Sequence, residues 1–343
     1  MNEGTIKFGA EQAVINCTRV KPDEKVVIIT SNDTKHIGYA IRDSAENITP
    51  GNVKMFNMED YGKRPDDGKN PLKFPSEIGE ALSEADVSFY AAGQKKGELV
   101  SFRVPMIHAV EANEKLRHAH MPGINSELMK TGMAADYGKI QTLTAKVEEI
   151  VSQADYIRVT SPAGTDLMVT FNPDYKWLIS DGNIKAENWS NLPDGETFTC
   201  AYNANGIVVV DGVLGDYMDD MFGIIKNTPL NIEVNEGRIV KTSCDNDKIL
   251  KEFDQYIIQD ENANRLGEFA IGTNIGLDKL VGNILQDEKF PGVHVAFGHG
   301  YPEKTGANWE SDAHCDVVLT NVTINVEGTN IMTDGKFSDN FFK

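Results

Sequence analysis

Apolar runs and helical rhythms alternate through the first 135 residues. Residues 8–19 carry apolar positions at helical spacing, and Lys25–Thr30 (KVVIIT) is an unbroken, mostly β-branched run of the kind that a parallel strand buried on both faces requires. Ser31-Asn32-Asp33-Thr34 then offers an N-cap, and a helical pattern continues to about Ala45. A strand follows at Asn52–Met58. A helix opened by Pro75 runs through Ala85, and Asp86–Ala92 (DVSFYAA) reads as a third strand. A helix around Pro105–Asn113 and a strand at Lys115–His120, ending in Met121-Pro122-Gly123, complete the series. This alternation predicts a doubly wound α/β domain over residues 1–135.

Asp136–Ala154 reads as a long bridging helix with charge on its outer face. From Asp155 the texture changes to short strands and turns. Y-I-R-V-T-S and G-T-D-L-M-V-T-F form a hairpin pattern around Pro162–Gly164, with Arg158 and Asp166 placed to pair across it. Further β-prone runs recur up to Lys241-Thr242, with helices expected at Asn246–Gln259 and Leu277–Gln286. Residues 155–343 are therefore expected to form a β-rich α+β domain, giving an overall class of α/β plus α+β.

Length supports two domains, and a net charge of −19 argues against nucleic acid or an anionic membrane as partner. Residues 1–20 show no signal-peptide pattern and no run has the apolar length of a membrane span. Cys17, Cys200, Cys244 and Cys315 have no C-x-x-C spacing, so they read as reduced thiols in a cytoplasmic protein. The loop after the first strand (T-S-N-D-T-K-H) lacks glycine, which excludes a dinucleotide or P-loop site there.

The candidate chemistry is concentrated near the C-terminal end. Three of the seven histidines, His294, His299 and His314, lie in H-V-A-F-G-H-G-Y and the G-A-N-W-E-S-D-A-H-C-D that follows, together with Tyr301 and Asp316. His314-Cys315-Asp316 places imidazole and carboxylate on one face of a strand, and Gly298 and Gly300 allow the chain to bend so that His294 and Tyr301 converge. Such ligands suit a divalent cation. Two more carboxylates stand out. Glu196 follows a Pro-Asp-Gly turn, where carboxylates are usually solvated. Glu268 lies in an apolar run, R-L-G-E-F-A-I-G-T-N, and by period two faces either a site or solvent beside Ala270. His299 reads as a neighbour of the ligands, His118 and His120 as structural, His36 and His108 as surface residues, and Asn308 as an orienting group for the ligand loop.

The ordered set G-E-T-F-T, L-G-E-F-A-I-G-T-N, H-V-A-F-G-H-G-Y and N-W-E-S-D-A-H-C-D resembles the M29 metallo-aminopeptidases, the thermophilic aminopeptidase T group. H-M-P-G-I and R-V-T-S-P-A-G-T-D-L extend the resemblance over roughly residues 115–320. It implies a two-metal centre (Zn, Co or Mn) around Glu196, Glu268, His294, Tyr301, His314 and Asp316, a small peptide substrate and a homodimer. Glu196 is expected to serve as the base, with Tyr301 at the edge of the site. The segment between Tyr301 and His314 is compressed to twelve residues relative to the family pattern, and the superfamily also resembles a mononuclear-iron 2,5-dihydroxypyridine dioxygenase and an amine hydrolase. A facial set of His294, His314 and Asp316 would suit that single-iron alternative.

Overall fold

The computed structural model describes residues 4–186 and 189–342. The chain forms two compact units, Met1–Gly138 with Gly182–Asp194, and Lys139–Asp181 with Gly195–Lys343.

The first unit is built on a parallel sheet. Its strands are β1 (Val26–Thr30), β2 (Val53–Asn57), β3 (Val87–Ala92), β4 (Arg117–Pro122) and β8 (Trp189–Asn191), in the order β2-β1-β3-β4-β8. β1 and β3 are buried at every position, as their unbroken apolar runs demand. The helices Lys35–Glu46, Ser76–Glu84 and Val104–Glu111 connect the strands. The first helix starts earlier than its apolar rhythm suggests, at Ile6, where the Thr5 hydroxyl accepts from the Phe8 N–H. It then widens to π-helical turns over Gln12–Cys17, with the Thr18 N–H donating to Ala13 O. β8 was not legible in sequence. It lies within the stretch expected to belong wholly to the β-rich half, yet it pairs in parallel with β4. His118 and His120 are buried on β4 in a hydrogen-bonded row. Ser88 Oγ lies 2.7 Å from His118 Nδ1, His118 Nε2 lies 3.3 Å from His120 Nδ1, and His120 Nε2 lies 3.2 Å from Arg103 Nη2.

The second unit carries two antiparallel sheets. The larger contains β5 (Tyr156–Thr160), β6 (Asp166–Thr170), β10 (Asn203–Val210), β11 (Leu230–Asn235), β12 (Arg238–Ser243), β16 (Thr323–Val326), β17 (Thr329–Thr333) and β18 (Lys336–Phe337), in the order β12-β11-β10-β6-β5-β16-β17-β18. The smaller contains β7 (Leu178–Ser180), β9 (Glu196–Thr199), β13 (Leu266–Gly272), β14 (Gly292–Gly298) and β15 (His314–Leu319), in the order β15-β14-β13-β9-β7. β5 and β6 form the expected hairpin, and Arg158 grips Asp166 through two exposed hydrogen bonds.

One apolar core draws on both sheets, with Val159, Leu167 and Val208 from the larger and Phe269, Val295, Phe297 and Val317 from the smaller. Helix Asp247–Tyr256, capped by the Asn246 side chain, adds Phe253, whose ring meets Phe297 edge-on. The helix expected at 277–286 reduces to one turn, Ile284–Asp287. The Asp287 carboxylate accepts from the N–H groups of Val281, Gly282 and Asn283, which closes the preceding residues into a turn instead of a helix. Among the described residues no helix is long and apolar enough to cross a membrane.

Candidate metal centre

The smaller sheet presents one face to the core and the other to the candidate site. Phe269, Ile271, Val293, Val295, Phe297, Cys315 and Val317 face the core. By alternation, Glu268, Ala270, His294, Ala296, His314 and Asp316 share the opposite face. The register aligns them in rows. Ala296 stands between Glu268 and Asp316, Ala270 pairs with His294, Gly298 pairs with His314, and Gly272 pairs with Glu196. The small residues leave open the space above the sheet into which the polar side chains lean. Glu268 and Ala270 do share a face, as period two requires, but that face is buried.

The sequence-derived candidates converge. His294 Nε2 lies 3.3 Å from Glu268 Oε1, 3.4 Å from Glu196 Oε2 and 3.9 Å from Asp316 Oδ1. His314 Nε2 lies 3.7 Å from Glu268 Oε2 and 3.5 Å from Asp316 Oδ2, with the Tyr301 hydroxyl at 3.3 Å. The ligand atoms fall into two nests, Glu196–Glu268–His294 and Glu268–His314–Asp316, each spanning no more than 4.8 Å. Glu268 belongs to both, and Asp316 likewise directs one oxygen towards each imidazole.

This donor set fits divalent cations. Three carboxylates and two imidazoles are gathered where a bare cluster of like charges is unfavourable. Glu196 Oε2 is buried without a hydrogen-bond partner. Burial alone would make His294 and His314 weaker bases, yet the surrounding carboxylates outweigh it and raise both to about 9. Burial opposes ionisation of Asp316, but His314, His294 and Lys289 hold its carboxyl below the usual range. The carboxylates thus draw positive charge onto the two rings that face them.

The loop residues are positioned by backbone devices. Gly298 has φ +117, a conformation open to glycine, and its N–H donates to Arg265 O at 2.7 Å. Tyr301 adopts left-handed φ 52 before the one-turn helix Pro302–Thr305. Asn308 does not orient this loop through its side chain, which is exposed. Trp309 and Thr305 do so: the indole N–H donates to Gly298 O at 3.1 Å and the Thr305 hydroxyl to Gly300 O at 2.6 Å. His299 stays outside both nests, its Nδ1 accepting from the Tyr301 N–H at 2.9 Å. His36 and His108 are exposed, and His36 bonds Ser126.

Three residues of the site were not singled out from sequence. The Tyr256 hydroxyl donates to His314 O and accepts from His314 N–H, both at 3.1 Å, and so fixes the backbone of a candidate ligand. Lys289 Nζ lies 2.5 Å from Glu196 Oε1 and 2.8 Å from Glu288 Oε1. Glu288 is a half-buried carboxylate whose pKa is raised, by desolvation first and then by the nearby Asp316 carboxylate, against the pull of Lys289 and His294. Q-D-E-K resembles a solvated helix end, but Lys289 is held by backbone bonds to Gln286 and Asn274 and its side chain is buried.

Fold and site together define a metalloenzyme with carboxylates shared between two imidazole nests. A family profile described as thermophilic metalloprotease (M29) matches residues 115–340. The chain belongs to that family and is a metal-dependent hydrolase, a metallo-aminopeptidase. Wild-type AmpT from Thermus thermophilus has a similar structure, with TM-score 0.70, 16% identity, and coverage of 97% of this chain and 98% of that one. A 2,5-dihydroxypyridine dioxygenase from Pseudomonas putida is also similar, with TM-score 0.69, 15% identity, and coverage of 97% and 96%. At such identities both likenesses speak to the fold alone. No curated protein sequence matches the chain.

Proposed function

We propose that the protein removes the N-terminal residue of small peptides with the help of two divalent cations, zinc, cobalt or manganese. Glu268, His294, His314 and Asp316 would hold them, with Tyr301 at the edge of the second nest and Glu196 Oε2 at the edge of the first. The observation that carries this reading is the double use of Glu268, whose two oxygens lie 3.3 Å and 3.7 Å from the two imidazoles.

Bound cations lower the pKa of a water towards neutrality and polarise the scissile carbonyl. The chain supplies the remaining functions. Glu196 Oε2 takes the proton of the attacking water and returns it to the leaving amine. The Tyr301 hydroxyl donates a hydrogen bond to the developing oxyanion, a contribution commonly worth about 3 kcal/mol. The buried strands beneath the site hold these groups rigid, so little reorganisation is needed during the reaction.

The alternative is a single-iron ring-cleaving dioxygenase, an enzyme type represented among the similar folds, or a related metal-dependent amine hydrolase. The dioxygenase would use His294, His314 and Asp316 and leave Glu268 and Glu196 without a ligand role, so the position of Glu268 favours two cations. The proposal also takes the protein to be a cytoplasmic homodimer. The four cysteines, none of them in a disulfide, support the first part and the family resemblance the second. The test is a set of aminoacyl p-nitroanilides with free and acetylated α-amines. Cleavage confined to the free amines is expected, and equal cleavage of both sets contradicts an aminopeptidase.

A further inference from the structure

Lys289 is a lysine buried to 3% side-chain exposure at the edge of a site built to attract cations. Burying an ammonium is costly unless its partners are close and well aligned. Here two carboxylates lie against it, Glu196 at 2.5 Å and Glu288 at 2.8 Å. The backbone of Lys289 is fixed as well. Its carbonyl accepts from the Asn274 N–H at 3.0 Å and its N–H donates to Gln286 O at 2.9 Å. It lies against Gly272, the register partner of Glu196, where a Cβ would come within 2.9 Å of the Lys289 carbonyl oxygen. The ammonium is thus delivered to Glu196 Oε1 from a rigid support, while Oε2 is turned to His294 with no donor.

A carboxylate free to rotate beside a divalent cation can close on it with both oxygens and then makes a poor base. One held by an ammonium at its far oxygen keeps only one oxygen for the cation and shares its charge. We propose that Lys289 is a positioning residue of this site: it tethers Glu196 by Oε1, so that Glu196 meets the cation through Oε2 alone and can release it to accept the proton of the attacking water. This inference rests on the two-cation reading above.

The tether has an unusual signature. Removing it frees a second oxygen for the cation and takes away a neighbouring positive charge, so cation binding tightens while turnover falls. Ordinary structural damage would weaken both. The experiment is titration of the chelator-treated full-length protein with cobalt, followed by visible absorption and calorimetry, for the wild type, Lys289→Met, Lys289→Arg and Glu288→Gln. Circular dichroism monitors folding, and kcat is measured for each reconstituted protein.

Lys289→Met is expected to bind one of its two cations at least tenfold more tightly and to lose at least tenfold in kcat. Lys289→Arg, which keeps the charge, should stay within threefold of the wild-type affinity. Glu288→Gln removes one of the carboxylates that hold the ammonium, strengthens its hold on Glu196 and should weaken the same cation by at least threefold. Two cations in the wild type with unchanged or weaker binding in a folded Lys289→Met overturn this inference alone. Should Lys289→Met not fold, unchanged or tighter binding in Glu288→Gln overturns it. No cation bound by the wild type overturns the reading of the site and this inference with it.

Discussion

Replacing Gly298 with alanine tests whether the bend between β14 and the ligand loop sets the catalytic geometry. An ideal Cβ at this position would lie 2.0 Å from the Ala313 carbonyl oxygen and 2.6 Å from its carbon. Ordinary van der Waals contact begins at 3.4 Å, so the backbone must open by about 1.4 Å, the difference between 3.4 and 2.0 Å. Ala313 immediately precedes His314, and its carbonyl accepts from the His299 N–H at 2.8 Å, so the displacement falls on a candidate ligand and on the loop that carries Tyr301. A φ of +117 adds strain for any residue with a Cβ, commonly about 1–3 kcal/mol.

A shift of about 1 Å in a reacting group costs on the order of 100-fold, which corresponds to about 2.7 kcal/mol of transition-state stabilisation. Gly298→Ala is therefore expected to lose at least about 100-fold in kcat/KM on an aminoacyl p-nitroanilide, and roughly 1–3 kcal/mol or more in urea unfolding. Gly51→Ala separates strain from displacement, because Gly51 has φ +78 but nothing within 4 Å of its would-be Cβ. It should lose stability and keep its activity. A Gly298→Ala protein retaining more than half of the wild-type kcat/KM would refute the geometric argument.

The remaining predictions concern the buried His118 and the two glutamates Glu268 and Glu196. Burial pushes His118 down to about 3, against an unfolded value of about 6.5. The unfolded chain therefore takes up the proton first as pH falls, so the stability that His118 contributes is complete above pH 6.5 and is lost between 6.5 and 3, at about 1.4 kcal/mol per pH unit. Urea unfolding at pH 7 and pH 5 should show the wild type losing about 2 kcal/mol more than His118→Gln over that interval; equal losses would count against the burial argument. Glu268→Gln should lose bound metal, because an amide offers one ligand oxygen where Glu268 faces both imidazoles. Glu196→Gln should keep its metal better and lose turnover, and equal metal loss in the two variants would undo the division between ligand and base.

Much of the centre was legible because strands impose a period of two. His314 and Asp316 flank Cys315, and the structure sends Cys315 to the core and its neighbours to the opposite face. Glu268 was ambiguous from its pattern, since a shared face with Ala270 does not say whether the face is wet or enclosed. A register shift between Leu266 and Glu268, against the loop that returns from Gly298, adds to that ambiguity. Glu196 looked like a solvated turn residue, and its burial depends on Lys289, 93 positions away.

Lys289, Glu288 and Tyr256 were missed for a common reason. Their roles arise from tertiary placement, and their local sequence carries only the marks of ordinary helix ends. β8 was missed because Trp-Ser-Asn has no apolar run and takes its strand conformation from pairing with β4. The expected helix at 277–286 yielded to the turn that the Asp287 carboxylate organises.

The most direct test of the two-cation account is the metal content of protein purified without added metal or chelator, measured by mass spectrometry and followed by titration to saturation. The account predicts two equivalents of zinc, cobalt or manganese per chain, with hydrolysis of aminoacyl p-nitroanilides lost on chelation and restored by the second equivalent. A single equivalent of iron, with no second site on titration and ring cleavage of a dihydroxypyridine in oxygen, would contradict it.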